Sequence, residues 1–293
     1  MQRRILSGLG ALCLAAAALA APAVAPSPAS TAQAGTVSTL GISPVGANDW
    51  DCTPDAEHPY PVVLVHGTFE TMDLNWISLS PKLKRNGYCV FALNYGFENG
   101  LSGAAHVPDS AAELGDFIDR VRQATGAKKV DIVGHSQDGM MPRWYMDHMG
   151  GAKYVNDLVS IAPSSHGTQG ILVPTATGVA IANSIDTWIC DSCADQVSGS
   201  DFMTELNAIG DTVAGPDYTV IATKYDEIVM PYKSQLLKGN SAQVTNVLLQ
   251  DKCPLNISGH LGVNVDPVVH RWVLNALATD GPADPGYRPS CYL

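Results

Sequence analysis

Two kinds of apolar pattern alternate along this chain. Short runs rich in β-branched and aromatic residues read as buried strands: YPVVLVHG (60–67), YCVFALNY (88–95), KVDIVGHS (129–136) and VNDLVSIAP (155–163). YTVIATKYDEIV (218–229) and VTNVLLQDK (244–252) continue the series. Elsewhere the spacing turns helical. Residues 110–125 place Leu114, Phe117, Ile118 and Val121 on one face, with Ser110 and Glu113 at capping-box spacing and Gly126 as a stop. Residues 137–150 and 266–279 predict two more helices, the first with Pro142 near its first turn, where a missing N–H costs little. Strands alternating with helices predict an α/β fold, a mostly parallel central sheet with helices on both faces. Residues 164–200 break the rhythm with Gly, Thr, Pro and small apolar residues. A long segment of this kind inside an α/β domain reads as a small lid-like insertion or pocket wall.

The chain begins differently. Arg3 and Arg4 precede an apolar run from Ile5 to about Ala20, and a small-residue stretch follows. This layout predicts a signal peptide over 1–34, cleaved after Ala32-Gln33-Ala34, with Ala18-Leu19-Ala20 as a second choice. The run is too short for a membrane span, and no later stretch is long and apolar enough for one. A flexible arm is expected over 35–46 and one large domain over 47–293. The expected compartment is therefore extracellular, and the expected state is a monomer. The whole sequence carries a net charge of −11, and loss of the two leader arginines takes it to −13. Such a surface repels phosphate backbones, which argues against a nucleic-acid partner.

Cysteine usage fits that compartment. Of seven cysteines, only Cys13 lies in the leader. Six remain, suggesting three disulfides with about 15 possible connectivities. Order along the chain favours Cys52–Cys89, Cys190–Cys193 and Cys253–Cys291. The Cys-Asp-Ser-Cys run has no second C-x-x-C and no nearby histidine, so it reads as a structural disulfide rather than a metal or redox site.

The candidate chemistry lies at the carboxyl ends of the strands. Gly134-His135-Ser136-Gln137-Asp138 follows one strand and precedes a helix, the context of a nucleophile elbow. A serine attacks a carbonyl when a histidine takes its proton and an acid orients that histidine. His260 is the late loop histidine that fits. His270 lies inside the last helix, and His135 is expected to pack behind the serine. Asp226 follows a strong strand and is the expected acid; Glu227 and Asp251 are the alternatives. Residues 66–70, His-Gly-Thr-Phe-Glu, end the first strand in a tight turn. That turn offers the Thr68 N–H to an oxyanion, joined by the N–H of Gln137, with the Thr68 hydroxyl as a candidate third donor. Phe69, Ile171, Val173, Trp188 and Leu261 are expected to line a substrate pocket. The order Ser136, Asp226, His260 is that of an α/β-hydrolase.

YPVVLVHGTFETMDLNW, VDIVGHSQDGMMPRWY, LVSIAPSSHGTQG and YDEIVMPYKSQLL resemble the secreted bacterial class 2 lipases of the α/β-hydrolase superfamily, over roughly residues 45–292. The resemblance implies the α/β-hydrolase fold and a carboxylic ester hydrolase with no metal and no cofactor, acting on triacylglycerols or simple esters. It places the triad on Ser136, Asp226 and His260 and the oxyanion donors on Thr68 and Gln137. It also supports Cys52–Cys89 and Cys253–Cys291.

One residue departs from the family pattern. Asp138 stands where a glycine is expected. A carboxylate there would oppose a developing oxyanion. Against this, an acid in a first helical turn gains ~0.3–1 kcal/mol from the helix dipole, and this position can face away from substrate. A retained but reduced activity is the expectation. Two other readings are a polyester depolymerase using the same residues and a secreted binding protein that lost the chemistry through Asp138.

Overall fold

The structure, a computed structural model, describes residues 41–169, 171–175, 178–182 and 189–292, with backbone alone for the two short strands between 171 and 182. The expected signal peptide, the first part of the arm and Trp188 lie outside the described residues.

Eight strands and eight α-helical segments follow one another among those residues. β1 (Val62–Val65) leads through α1 (Met72–Asn75) and α2 (Leu79–Arg85) to β2 (Val90–Leu93). Next come α3 (Val107–Thr125), β3 (Val130–His135), α4 (Met141–His148) and β4 (Val155–Ile161). β5 (Ile171–Thr175), β6 (Gly178–Ala182), α5 (Asp191–Asp195) and α6 (Asp201–Ala208) follow. The chain closes with β7 (Asp217–Ala222), β8 (Val244–Leu248), α7 (Leu249–Lys252) and α8 (Pro267–Leu277).

Six strands form one parallel sheet in the order β2-β1-β3-β4-β7-β8. The strands read as continuous apolar runs because both faces are covered. Side chains alternate between the faces. Val63 and Val65 pack with Leu114, Phe117 and Ile118 of α3 and Met146 of α4, while Val62 and Leu64 pack with Leu79 and Leu83 of α2 and Val269 and Trp272 of α8. This is the α/β-hydrolase architecture the sequence predicts.

Several boundaries differ from the predicted ones. α3 starts at Val107, so Ser110 is a buried residue inside the helix and not its cap; Glu113 instead faces the Gly96 N–H. Gly126 does end the helix, in the left-handed conformation. Residues 136–139 form a tight 3-10 turn before α4, where a single helix over 137–150 was expected. Residues 249–252 are a helical turn rather than the end of a strand. The expected irregular segment contains an antiparallel pair, β5 with β6, and the short helix α5. α1, α2 and α6 give too short an apolar period to be read from sequence.

Three disulfides close as expected: Cys52–Cys89, Cys190–Cys193 and Cys253–Cys291. The first ties the approach to β1 to the start of β2. The described end of the arm is anchored as well, with Ser80 Oγ donating to the Val45 carbonyl at 3.0 Å.

Two carboxyl groups are buried side by side at the amino end of the sheet. The Asp157 N–H and Asn156 Nδ2 both donate to Asp131 Oδ1, at 3.2 and 3.0 Å, and Asn156 Nδ2 also reaches Asp157 Oδ2 at 3.1 Å. Burial raises both above the ordinary carboxylate range, and for Asp157 the neighbouring Asp131 adds to it. The folded chain thus holds protons that the unfolded chain releases. The pair's contribution to stability is full below about pH 4, the ordinary carboxylate value, and is lost as pH rises through the raised folded values. Urea unfolding from roughly pH 5 to roughly pH 9 is expected to show falling stability, with a shallower fall in Asp157→Asn. An identical slope in that variant contradicts the assignment.

Candidate active site

The nucleophile elbow is built from close approaches that only glycine permits. β3 ends at His135, and Ser136 takes φ +60°, in the left-handed region that a non-glycine residue adopts at a cost. The chain then doubles back so tightly that a Cβ on Gly134 would lie 1.6 Å from the Asp138 carbonyl oxygen. A Cβ on Gly139 would lie 2.5 Å from the Pro163 side chain. Position 138 carries no such demand. The Asp138 side chain is fully buried behind the turn and is hydrogen-bonded to the Tyr95 hydroxyl. Burial raises its pKa well above the ordinary range; the Tyr95 bond opposes this and the charge of Glu70 reinforces it. Burial and Glu70 thus both disfavour a charge at this position, and the side chain lies behind the turn, outside the lining of the cleft.

The elbow brings Ser136 Oγ to 2.9 Å from His260 Nε2. His260 Nδ1 lies 2.8 Å from Asp226 Oδ2. The other contacts of Asp226 are all with donors: the N–H groups of Ile228 and Val229 to Oδ1 at 2.9 and 2.6 Å, and Gln235 Nε2 to Oδ2 at 2.9 Å. The two alternative acids do other things. Glu227 accepts from the His260 main-chain N–H at 2.9 Å, and Asp251 is exposed on α7.

Behind His260 lies a second histidine–carboxylate pair. His135 Nδ1 is 2.9 Å from Glu70 Oε2, and its Nε2 is 3.1 Å from the His260 carbonyl oxygen. Burial works against a charge on His135, but Glu70 outweighs it and the pKa is raised. Burial likewise opposes the charge on Glu70, and His135 outweighs it. His135 thus packs behind the serine, as alternation along β3 predicts. His66 is different: burial lowers its pKa to about 4, so it is neutral. His270 is buried in α8 against the Asn264 carbonyl.

Thr68 and Gln137 stand next to each other beside the serine. Thr68 Oγ1 donates to Gln137 Oε1 at 2.7 Å, so its hydroxyl proton is directed at Gln137. Gln196 Nε2 donates to both, at 3.0 Å to Thr68 Oγ1 and 2.9 Å to Gln137 Oε1. Gln196 lies one residue past α5, whose Cys190–Cys193 disulfide holds that turn against the site.

A cleft opens over Ser136 and His260. Phe69 and Leu261 line it, together with Thr168, Cys193, Ile228 and Val229, which no local pattern in the chain marks. The side chains of Ile171 and Val173 lie outside the described residues. Among the described residues no group of three or more His, Cys, Asp or Glu is arranged to hold a metal ion, and no helix is long and apolar enough to cross a membrane.

The profile of the class 2 lipase family matches residues 59–273. The chain belongs to the class 2 lipases. Two triacylglycerol lipases, from Pseudarthrobacter phenanthrenivorans and Burkholderia plantarii, are each 33% identical to it over 93 residues. Those matches cover 29% of this class 2 lipase and 27% and 24% of the two relatives, so they span about a quarter of each relative's length. Among solved structures, Aspergillus fumigatus lipase B superposes with a TM-score of 0.67 at 23% identity, covering 83% of this chain and 56% of that one. A Bacillus licheniformis lipase in its mature form gives 0.55 at 18%, covering 76% and 94%. At these identities the two structures establish the fold.

In this class 2 lipase the elbow geometry makes Gly134 indispensable. Gly134→Ala drives a methyl group into backbone that cannot yield, and is expected to cost more than about 3 kcal/mol or to prevent folding. Thermal and urea unfolding measure it. Native-like stability in that variant contradicts the packing described.

Proposed function

We propose that this chain is a secreted carboxylic ester hydrolase, a lipase or esterase working through an acyl-enzyme. The observation that carries the proposal is the unbroken line from Ser136 Oγ to His260 Nε2 at 2.9 Å and from His260 Nδ1 to Asp226 Oδ2 at 2.8 Å, beneath an open cleft.

Asp226 holds the Nδ1 proton of His260, which leaves Nε2 as the acceptor facing the serine. Ser136 Oγ attacks the ester carbonyl while its proton passes to Nε2. The negative charge that forms on the carbonyl oxygen is met by the main-chain N–H groups of Thr68 and Gln137. The Thr68 hydroxyl adds a third donor once it turns from Gln137 Oε1. Collapse expels the alcohol, which takes the proton from Nε2 as it leaves. Water then attacks the acyl-serine by the same route, giving its proton to His260, and the acid departs as Ser136 Oγ recovers a proton. Glu227 and His135 hold the main chain of His260 on either side of its ring.

The apolar wall of Phe69, Ile228, Val229 and Leu261 suits an acyl chain. Residues 164–200 form its lid or outer wall in this reading. The basic and apolar leader and the three disulfides support export after loss of residues 1–34.

Hydrolysis of a chromogenic butyrate ester tests this. The native chain is expected to turn the ester over, and Ser136→Ala to lower kcat by about 10⁵-fold or more. If the native chain is no faster than Ser136→Ala, the proposal fails. Thr68→Val is expected to cost roughly 10-fold to 100-fold in kcat with little change in KM, because its hydroxyl meets charge only in the transition state. A loss confined to KM contradicts that role.

A further inference from the structure

Asp138 is the one residue of the elbow that the ester-hydrolase reading leaves without a task. It is fully buried, and it lies at the end of a hydrogen-bond chain that runs to the oxyanion residues. Asp138 Oδ2 contacts the Tyr95 hydroxyl. Tyr95 in turn lies 3.0 Å from the His66 carbonyl oxygen and 3.2 Å from Gln137 Nε2. Gln137 Oε1 then receives the Thr68 hydroxyl and Gln196 Nε2.

The protons in this chain can be assigned by what each group is able to do. A carbonyl only accepts, so the Tyr95 bond to His66 uses the single phenol proton. The Gln137 amide presents Nε2 to Tyr95, because its oxygen is taken by two donors, so that contact brings a proton to the phenol oxygen. With the phenol proton on the His66 carbonyl, the remaining contact of the phenol oxygen, with Asp138, is a hydrogen bond only if Asp138 brings the proton. We propose that Asp138 is a positioning residue: its carboxyl O–H donates to the Tyr95 oxygen and so fixes the direction of the chain that orients Gln137 and Thr68. This rests on the ester-hydrolase reading above.

The surroundings favour the acid form. Asp138 Oδ1 has no hydrogen-bond partner among the described residues, a cost far larger for a buried carboxylate than for a neutral acid. Four charged or titratable groups face the pair, from three parts of the chain. Glu70, in the loop after β1, repels a charge on Asp138. His66, also after β1, is neutral and stacks on Tyr95 with ring centres 4.6 Å apart. His135, at the end of β3, is neutralised by Glu70. Glu113 of α3 adds a further negative field at Tyr95, whose own pKa burial raises. Loss of the Asp138 proton would turn the Tyr95 O–H toward the new carboxylate and away from His66. Gln137 and Thr68 would shift with it.

Infrared difference spectra of native chain minus Asp138→Asn at neutral pH test the donor directly. A carbonyl band of a protonated acid, absent from the variant, is expected. Carboxylate bands alone overturn the proposal, whatever the esterase activity. Kinetics test the positioning. Asp138→Leu removes the donor and is expected to lower kcat about tenfold with KM little changed. The native chain is expected to lose kcat at alkaline pH as Asp138 gives up its proton; Asp138→Asn restores a donor to Tyr95 and should recover most of the loss seen in Leu and abolish that alkaline decline. With Tyr95→Phe in the background, Leu and Asn at 138 should no longer differ. Equal losses in Asn and Leu with Tyr95 intact, or a native pH profile carried over unchanged into Asp138→Asn, overturn the role. An acid band in a native chain that turns over no ester leaves the donor standing and overturns the positioning role together with the ester-hydrolase reading.

Discussion

A strand that reverses into a helix within a single residue leaves no room beside its last turns. Ser136 occupies that residue with φ +60°, and the backbone of Asp138 then passes where a side chain on Gly134 would have to be. The strain is held because β3 sits between β1 and β4 in a six-stranded parallel sheet and cannot move aside. Gly139 adds the second close approach, against Pro163 beyond β4. Packing of the elbow thus places the serine hydroxyl above the carboxyl edge of the sheet, clear of the core.

Parallel strands deliver the remaining groups to the same edge. The loop after β1 carries Thr68, Phe69 and Glu70, the loop after β7 carries Asp226 and Glu227, and the connection from β8 to α8 carries His260. His260 is then fixed at three points: Asp226 on its ring, Glu227 on its N–H and His135 on its carbonyl. The result is a rigid, largely buried line of proton-accepting groups with one open side, the cleft. Preorganisation of this kind lets hydrogen bonds act on developing charge without paying for rearrangement at that moment.

The sheet, its strand centres, the two long helices and the three disulfides were legible because each leaves a local mark: an apolar run, a 3.6-residue period, an even cysteine count. Ser136, Asp226 and His260 were legible because each sits at the end of a strand or in a late loop, in a fixed order. The surroundings of those residues were not. Gln196 reaches Thr68 from 128 positions away, and Tyr95 reaches Asp138 from 43. No periodicity encodes such contacts. The burial of Asp138 behind the turn was likewise hidden, because sequence shows a carboxyl group and not its surroundings. Ser110 was misread as a cap because its spacing to Glu113 matched, while Pro108 allows the helix to begin earlier, at Val107.

The central claim is that Ser136 is a nucleophile activated by His260. Mass mapping after reaction of the intact chain with a fluorophosphonate tests it without any choice of ester. The account predicts one adduct, on Ser136, that forms far more slowly in His260→Ala. No adduct, an adduct on another residue, or labelling of Ser136 at an unchanged rate in His260→Ala would contradict it.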